Sequence, residues 1–441
     1  MSRRATATIG RRAPLRWPMS RFQRGFAATL IFDITARGVS ALTTVILIRF
    51  LAVGAYAFVV VFLAVGQFVG SATTGGLRVL YVRTEAERVA RGSANALPFA
   101  AVLAGTLLII AAFAIGGAAV AEIAGVGASN VRLPFIALCA LFSVGQGTVD
   151  LATYHYQAGL RFRRGGQVAL TRNVLLLLAA VLVSALLSSS KLVVAAALAA
   201  ASVAAGIMAA GDVLGQDPEQ RRLRGTRLGF SAESGWLTIY SFVAAGFATV
   251  DVFIVAIILT ANDVASFGAA QRYYAIALGV VPALEAVLRV RTSQPDIVES
   301  PEAQTSALTS WIKRSAVPTG LAILLLALAA PPVIGWINHG RYPSSIPVFQ
   351  ILLVGVFAYY LAMPAVSLLM AQRRFRLLAA SFGAAFVVNG AGDFVVGPVA
   401  GITGVAVIAT TVLIALSAFD TLSAMRPTRA AVLATGPGAQ V

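Results

Sequence analysis

Cysteine, histidine and acidic side chains are scarce in this 441-residue chain, and each scarcity removes a class of function. The one cysteine, Cys139, sits in an apolar run and excludes an intrachain disulfide or a cysteine-clustered metal site. The two histidines, His155 and His339, are far apart and form no zinc-type spacing. Asp and Glu together number 17 against 34 Lys and Arg, and charged residues make up only 12% of the chain. Long polar segments are also missing. The longest, 78–94, 214–232 and 289–314, are too short for a folded domain outside a membrane. The net charge of +17 does not point to nucleic acid, because the basic residues lie between apolar runs and are not gathered on a soluble domain.

What is present is apolar surface. Hydrophobic residues make up 59% of the chain, with a mean hydropathy of +0.85. A soluble interior cannot hide that much at this length. The apolar residues come in blocks of about 20, enough to cross roughly 30 Å of hydrocarbon as helices. Runs such as 195–205 do not alternate, which excludes a β-barrel. The fold class is therefore an all-α polytopic membrane protein. Twelve spans are predicted: 26–48, 52–72, 96–118, 132–154, 167–187, 192–213, 235–258, 266–288, 315–337, 347–369, 377–396 and 402–424.

Arginine placement predicts the orientation. Arg78, Arg83, Arg88 and Arg91 follow the second span, Arg161, Arg163 and Arg164 the fourth, and Arg221, Arg222, Arg224 and Arg227 the sixth. Arg373, Arg374 and Arg376 follow the tenth, whereas the alternate loops hold little beyond Arg132, Lys191 and Arg341. By the positive-inside rule both termini are cytoplasmic. The expected organisation is a basic cytoplasmic tail (1–24), an N-terminal six-helix bundle (25–213) and a cytoplasmic linker (214–232). A C-terminal six-helix bundle (233–424) and a second cytoplasmic tail (425–441) follow.

A repeated marker suggests that the halves are related. Ala158-Gly159-Leu160-Arg161-Phe162-Arg163 and Ala371-Gln372-Arg373-Arg374-Phe375-Arg376 each follow the fourth span of a half. An even number of spans per half gives both the same topology, with a pseudo-twofold axis along the membrane normal. Duplicated helical bundles that handle a substrate between them are typical of secondary transporters.

Charges at membrane depth carry the functional hints, since each costs at least ~2.5–3.5 kcal/mol on insertion scales. Asp33 and Arg37 share one face of the first span. They form either a self-neutralising pair or an anion contact, Arg37, steadied by an acid. Asp251 in the seventh span and Arg272 in the eighth flank one turn at similar depth. They are read either as a bridge or as a second anion contact with a nearby acid. Arg49, at the end of the first span, is placed to snorkel to the headgroups. Asp150, Asp393 and Asp420 are isolated carboxyls that could carry a coupling proton. Tyr240, Tyr273 and Tyr359, with Tyr274 and Tyr360, could stack on sugar rings or pack helices.

Several stretches, in the right order along the chain, resemble the oligosaccharide flippases. They are Ile46-Leu47-Ile48-Arg49-Phe50-Leu51 with Ala55-Tyr56-Ala57, then Gln157-Ala158-Gly159-Leu160-Arg161-Phe162-Arg163. Asp251-Val252-Phe253-Ile254 with Phe267-Gly268-Ala269-Ala270-Gln271-Arg272-Tyr273 follows, and finally Asn389 with Gly401-Ile402-Thr403-Gly404. The chain thus resembles the polysaccharide transporter (Wzx-type) branch of the multidrug/oligosaccharidyl-lipid/polysaccharide (MOP) flippase superfamily. That resemblance implies a fold like those of MATE transporters and the lipid II flippase. It implies alternating access and movement of an undecaprenyl-diphosphate-linked oligosaccharide from the cytoplasmic to the outer leaflet of a bacterial inner membrane. It implies no cofactor, with membrane lipids, a polysaccharide polymerase and glycosyltransferases as partners. In the lipid II flippase relatives, arginines on the first and eighth helices line a cationic cavity, and Arg37 and Arg272 hold matching places here. Arg49 matches the arginine ending helix one.

Two other functions compete. A drug antiporter of the same superfamily would favour carboxylates in its cavity. A glycan polymerase or ligase would need catalytic groups on a sizeable outer loop, where only Glu122, Asp263 and His339 stand out.

Overall fold

The computed structural model of the protein describes residues 19–91, 98–123, 129–159, 161–186, 190–216, 232–281 and 300–426, with Gln220, Leu284 and Leu288. The predicted tails, most of the linker 214–232 and the side chain of Asp33 lie outside the described residues.

The described chain is helical. The N-terminal half holds α1 (Met19–Phe50), α2 (Val53–Arg91), α3 (Phe99–Ile123), α4 (Ser129–Ala158), α5 (Phe162–Leu186) and α6 (Lys191–Gln216). The C-terminal half holds α7 (Ala232–Phe247), α8 (Val250–Ile258), α9 (Ala261–Ala277), α10 (Pro301–Asn338), α11 (Ser345–Ala371) and α12 (Phe375–Met425). Eight of these are long and apolar enough to cross a membrane, or nine if α7 and α8, bent by 43°, form one broken span. The helices that carry Arg37 and Arg272, α1 and α9, are not among them.

One predicted span is interrupted and two others merge. The span 235–258 breaks at Ala248 and Thr249 into α7 and α8. The spans 377–396 and 402–424 run together as α12, whose 51 residues bend at Gly401 (φ 61°, ψ −156°). That backbone conformation is open essentially only to glycine. Pro398, three residues earlier, lacks the N–H that would continue the helical ladder.

Within the N-terminal half α1 packs on α5, and α4 on α2 and α6. Within the C-terminal half α11 packs on α10 and α12, and α12 on α7. The halves meet where α2 lies against α7 and α9, and α1 against α9. Tyr56, Val60 and Phe62 of α2 and Phe267 and Ala270 of α9 belong to one buried cluster along this seam.

The duplicated arginine marker has a mechanical role. In the first half Arg161 donates to Gln216 at 3.1 Å, and Arg164 grips Asp212 with two bonds, at 2.7 and 3.1 Å. In the second half Arg374 donates to the backbone carbonyl of Ser423 at 2.6 Å. In both halves the turn after the fourth crossing is tied to the end of the sixth, where helix carbonyls lack partners and cations are favoured.

Candidate functional site

Two cavities adjoin α9. The larger, about 400 Å³, is bordered by Arg37 of α1, Tyr240 of α7, Asp251 of α8, Gln271 and Tyr274 of α9, Tyr359 of α11 and Asn389 of α12. Arg37 crosses from the N-terminal half and donates to the carbonyl of Ala275 at 3.0 Å. Gly279 makes room for it: a Cβ at that position would lie 2.9 Å from Cδ of Arg37.

The acidic wall of this cavity follows from the break between α7 and α8. The break places Asp251 in the first turn of α8, where free N–H groups favour a carboxylate. Asn389 donates its amide N–H to Asp251. Asp393, one turn further along α12 on the same face, is fully buried, and neither oxygen has a donor. It adjoins Asp251. Two adjoining carboxyls inside a membrane must share a proton or hold a cation between them. Discontinuous helices of this kind form ion sites in transporters. Asp251, Asn389 and Asp393 therefore make a candidate ion site, assembled from three residues at a helix break.

The smaller cavity, about 100 Å³, lies on the N-terminal side of α9. Ser40, Thr43 and Thr44 of α1, Gln67 of α2, Arg172 and Asn173 of α5 and Arg272 of α9 line it, with no carboxylate among them. Arg172 donates to Gln146 at 3.1 Å and lies over the Phe142 ring, 5.5 Å from its centre, while its Nε has no acceptor. Two guanidinium groups thus face one small polar space, and Asp150, one turn from Gln146 on α4, lies near enough to act on Arg172.

The residues singled out from the sequence lie in different surroundings. Asp251 does not pair with Arg272. The α8 turn directs Asp251 towards α12, while Arg272 points to the opposite side of α9. Arg37 and Arg272 border different cavities, although Arg272 and the Ala275 carbonyl that holds Arg37 are only about one helical turn apart on α9. Arg49 is exposed at the end of α1 and borders neither cavity. Tyr240 and Tyr359 border the larger cavity, Tyr240 with its edge to Phe382. Tyr273 is a packing residue instead: it is buried, its hydroxyl donates to Asn338, and its ring meets Phe349. Asp420 is buried away from both cavities and accepts from Ser381 at 3.1 Å.

Arg172 was missed from the sequence, although an arginine six residues into a predicted span is a visible signal. The Asn389/Asp393 pair was also readable as one helix face, but its neighbour Asp251 is 138 positions away from Asn389.

No family model and no curated protein matches the chain in sequence. Its fold does have solved counterparts. An inward-facing multidrug resistance MATE family transporter of the MOP superfamily superposes with a TM-score of 0.72 at 12% identity, over 93% of this chain and 100% of its own. The lipid II flippase MurJ, in an inward closed conformation, gives 0.65 at 13% identity over 91% and 89%. An outward-facing MATE transporter gives 0.60 at 14% identity over 92% and 95%. At these identities the likeness shows the fold: an all-helical, polytopic membrane protein built like MATE transporters and MurJ.

Proposed function

We propose that this protein is a flippase that carries an undecaprenyl-diphosphate-linked oligosaccharide from the cytoplasmic to the outer leaflet by alternating access. The observation that carries the reading is the small polar cavity that Arg172 and Arg272 both line, with Asp150 near Arg172 but outside the lining. Guanidinium forks match phosphate oxygens, and two of them facing one space with a single acid nearby leave a positive charge that an anion would neutralise. Arg37, held one turn away on α9, extends the same cationic seam towards the larger cavity. There Tyr240 and Tyr359 offer rings on which a sugar could stack. A diphosphate carried along this seam leaves the prenyl chain in the bilayer. The ion site at Asp251, Asn389 and Asp393 opens onto the larger cavity, so its occupancy can bias which state the halves adopt. The arginine bias of the loops supports cytoplasmic termini, as expected of a bacterial inner-membrane protein. Glycosyltransferases would supply such a substrate and a polymerase would consume it.

A second reading is a drug antiporter. It is favoured by the same larger cavity, where Asp251 sits among Tyr240, Phe247, Tyr274 and Phe382, a lining suited to an organic cation.

Alanine variants separate the two. Arg172→Ala and Arg272→Ala should each cut glycan export by about 10-fold or more, the scale of a lost charge-assisted bond. The protein should remain inserted, with the lipid-linked intermediate accumulating in the inner leaflet. Arg272→Lys should rescue only partly, since lysine lacks the fork. Normal glycan export in both alanine variants, with dye efflux that depends on Asp251, would instead establish the antiporter.

A further inference from the structure

We infer that Arg341 is a gate residue that latches the two halves together at the end of the molecule opposite the termini. The inference rests on the alternating-access reading above, not on the identity of the substrate.

The latch begins at the end of α1. The last carbonyls of a helix have no partner within it, and the helix dipole makes this end negative. Here the partner comes from the other half. Nη1 of Arg341, in the turn between α10 and α11, lies 3.2, 3.1 and 3.3 Å from the carbonyl oxygens of Ile48, Arg49 and Leu51. Next to it the rings of Tyr342 and Tyr56, the first turn of α2, pack with centres 5.7 Å apart, and both residues are buried.

The turn that presents Arg341 is built to hold it. His339 caps α10 in the left-handed conformation, and Tyr342 is also left-handed, at φ 57°. Such a backbone persists for a tyrosine only where its surroundings enforce it. They do so through a buried relay: Tyr273 of α9 donates to Asn338, Asn338 donates to Ser345 at 3.3 Å, and Ser345 donates to the Tyr342 carbonyl at 2.7 Å. The relay runs from α9 to the turn, and the turn grips α1 and α2. Movement of α9, which also carries Arg272, is therefore linked to release of the α1 end.

Opening a path at this end requires the halves to part here, which breaks the Arg341 contacts and separates the two tyrosine rings. Arg341 and the carbonyl of Arg49 are exposed, so water can replace the lost bonds. That makes the contact reversible, as a gate requires.

The test uses a single reporter cysteine, Ala57→Cys, in a Cys139→Ala background. Ala57 adjoins Tyr56 and is 6% exposed, so the new thiol is covered while the gate is shut. Membrane-impermeant maleimide is applied to right-side-out vesicles. Arg341→Ala should raise the labelling rate by about tenfold, the population shift expected for loss of one charge-assisted contact, and Arg341→Lys by less. Unchanged labelling in Arg341→Ala, with faster labelling when Tyr342→Ala opens the ring pair, would overturn the role of Arg341. The readout needs no substrate, so failure to transport a lipid-linked glycan would count against the flippase reading and leave this result standing.

Discussion

Asn389 and Asp393 show how much one helical turn can carry. A lone buried carboxyl is a liability, but two beside an amide, one of them in the first turn of a broken helix, form a place for a proton or a small cation. Removing one charge should therefore uncouple the protein without unfolding it. Asp393→Asn should leave the thermal midpoint unchanged or higher, because the crowding of two carboxyls is relieved. If the protein works as proposed, the same variant should lose the response of transport to an imposed ion or pH gradient in proteoliposomes. A gradient response equal to that of the parent protein would remove Asp393 from the coupling site.

Among the elements, the breaks matter more than the regular spans. Gly401 lets α12 fold back without a loop, which keeps Asp393 on the first arm and Thr410 on the second within reach of α7, α8 and α11. Any Cβ at position 401 meets a forbidden backbone region, so Gly401→Ala should cost about 1–3 kcal/mol. Cys139 provides the measurement, since it is the only thiol and is buried. A thiol-reactive dye should report unfolding of Gly401→Ala at a clearly lower temperature than the parent. An unchanged midpoint would mean that the two arms can join by another route. The arginine ties at the ends of the sixth and twelfth crossings are the complementary device. They fix helix ends, while the breaks at Thr249 and Gly401 shape the space between them.

At the scale of the whole molecule, the duplicated halves and the arginine asymmetry make a topological prediction. With Cys139 replaced, cysteines placed at Gln220 and Ser344 should label from opposite faces of the membrane, Gln220 from the cytoplasmic side. Labelling of both from one side would refute an odd number of crossings between the two positions. Gln220 calls for detergent-permeabilised controls, because it is 2% exposed and accepts the Phe99 N–H at 2.7 Å.

Composition and the spacing of apolar runs by themselves determined the class, an all-helical membrane protein with short connections, because hydrocarbon thickness sets a length that a one-dimensional pattern must show. Arg37, Arg272, Asp251 and Tyr359 were legible as candidates for the same reason: polar groups at membrane depth are rare enough to stand out. Which of them meet was not legible. A helix turns its side chain by about 100° per residue, so a small rotation of α9 decides whether Arg272 faces Asp251 or Arg172. The local sequence around position 272 does not fix that rotation. Packing against α2 and α1 does, through residues more than 200 positions away. The contacts of Asp251 and of Arg341 are likewise tertiary facts, since each depends on a partner that only folding brings to it: Asn389 for Asp251, and the end of α1 for Arg341.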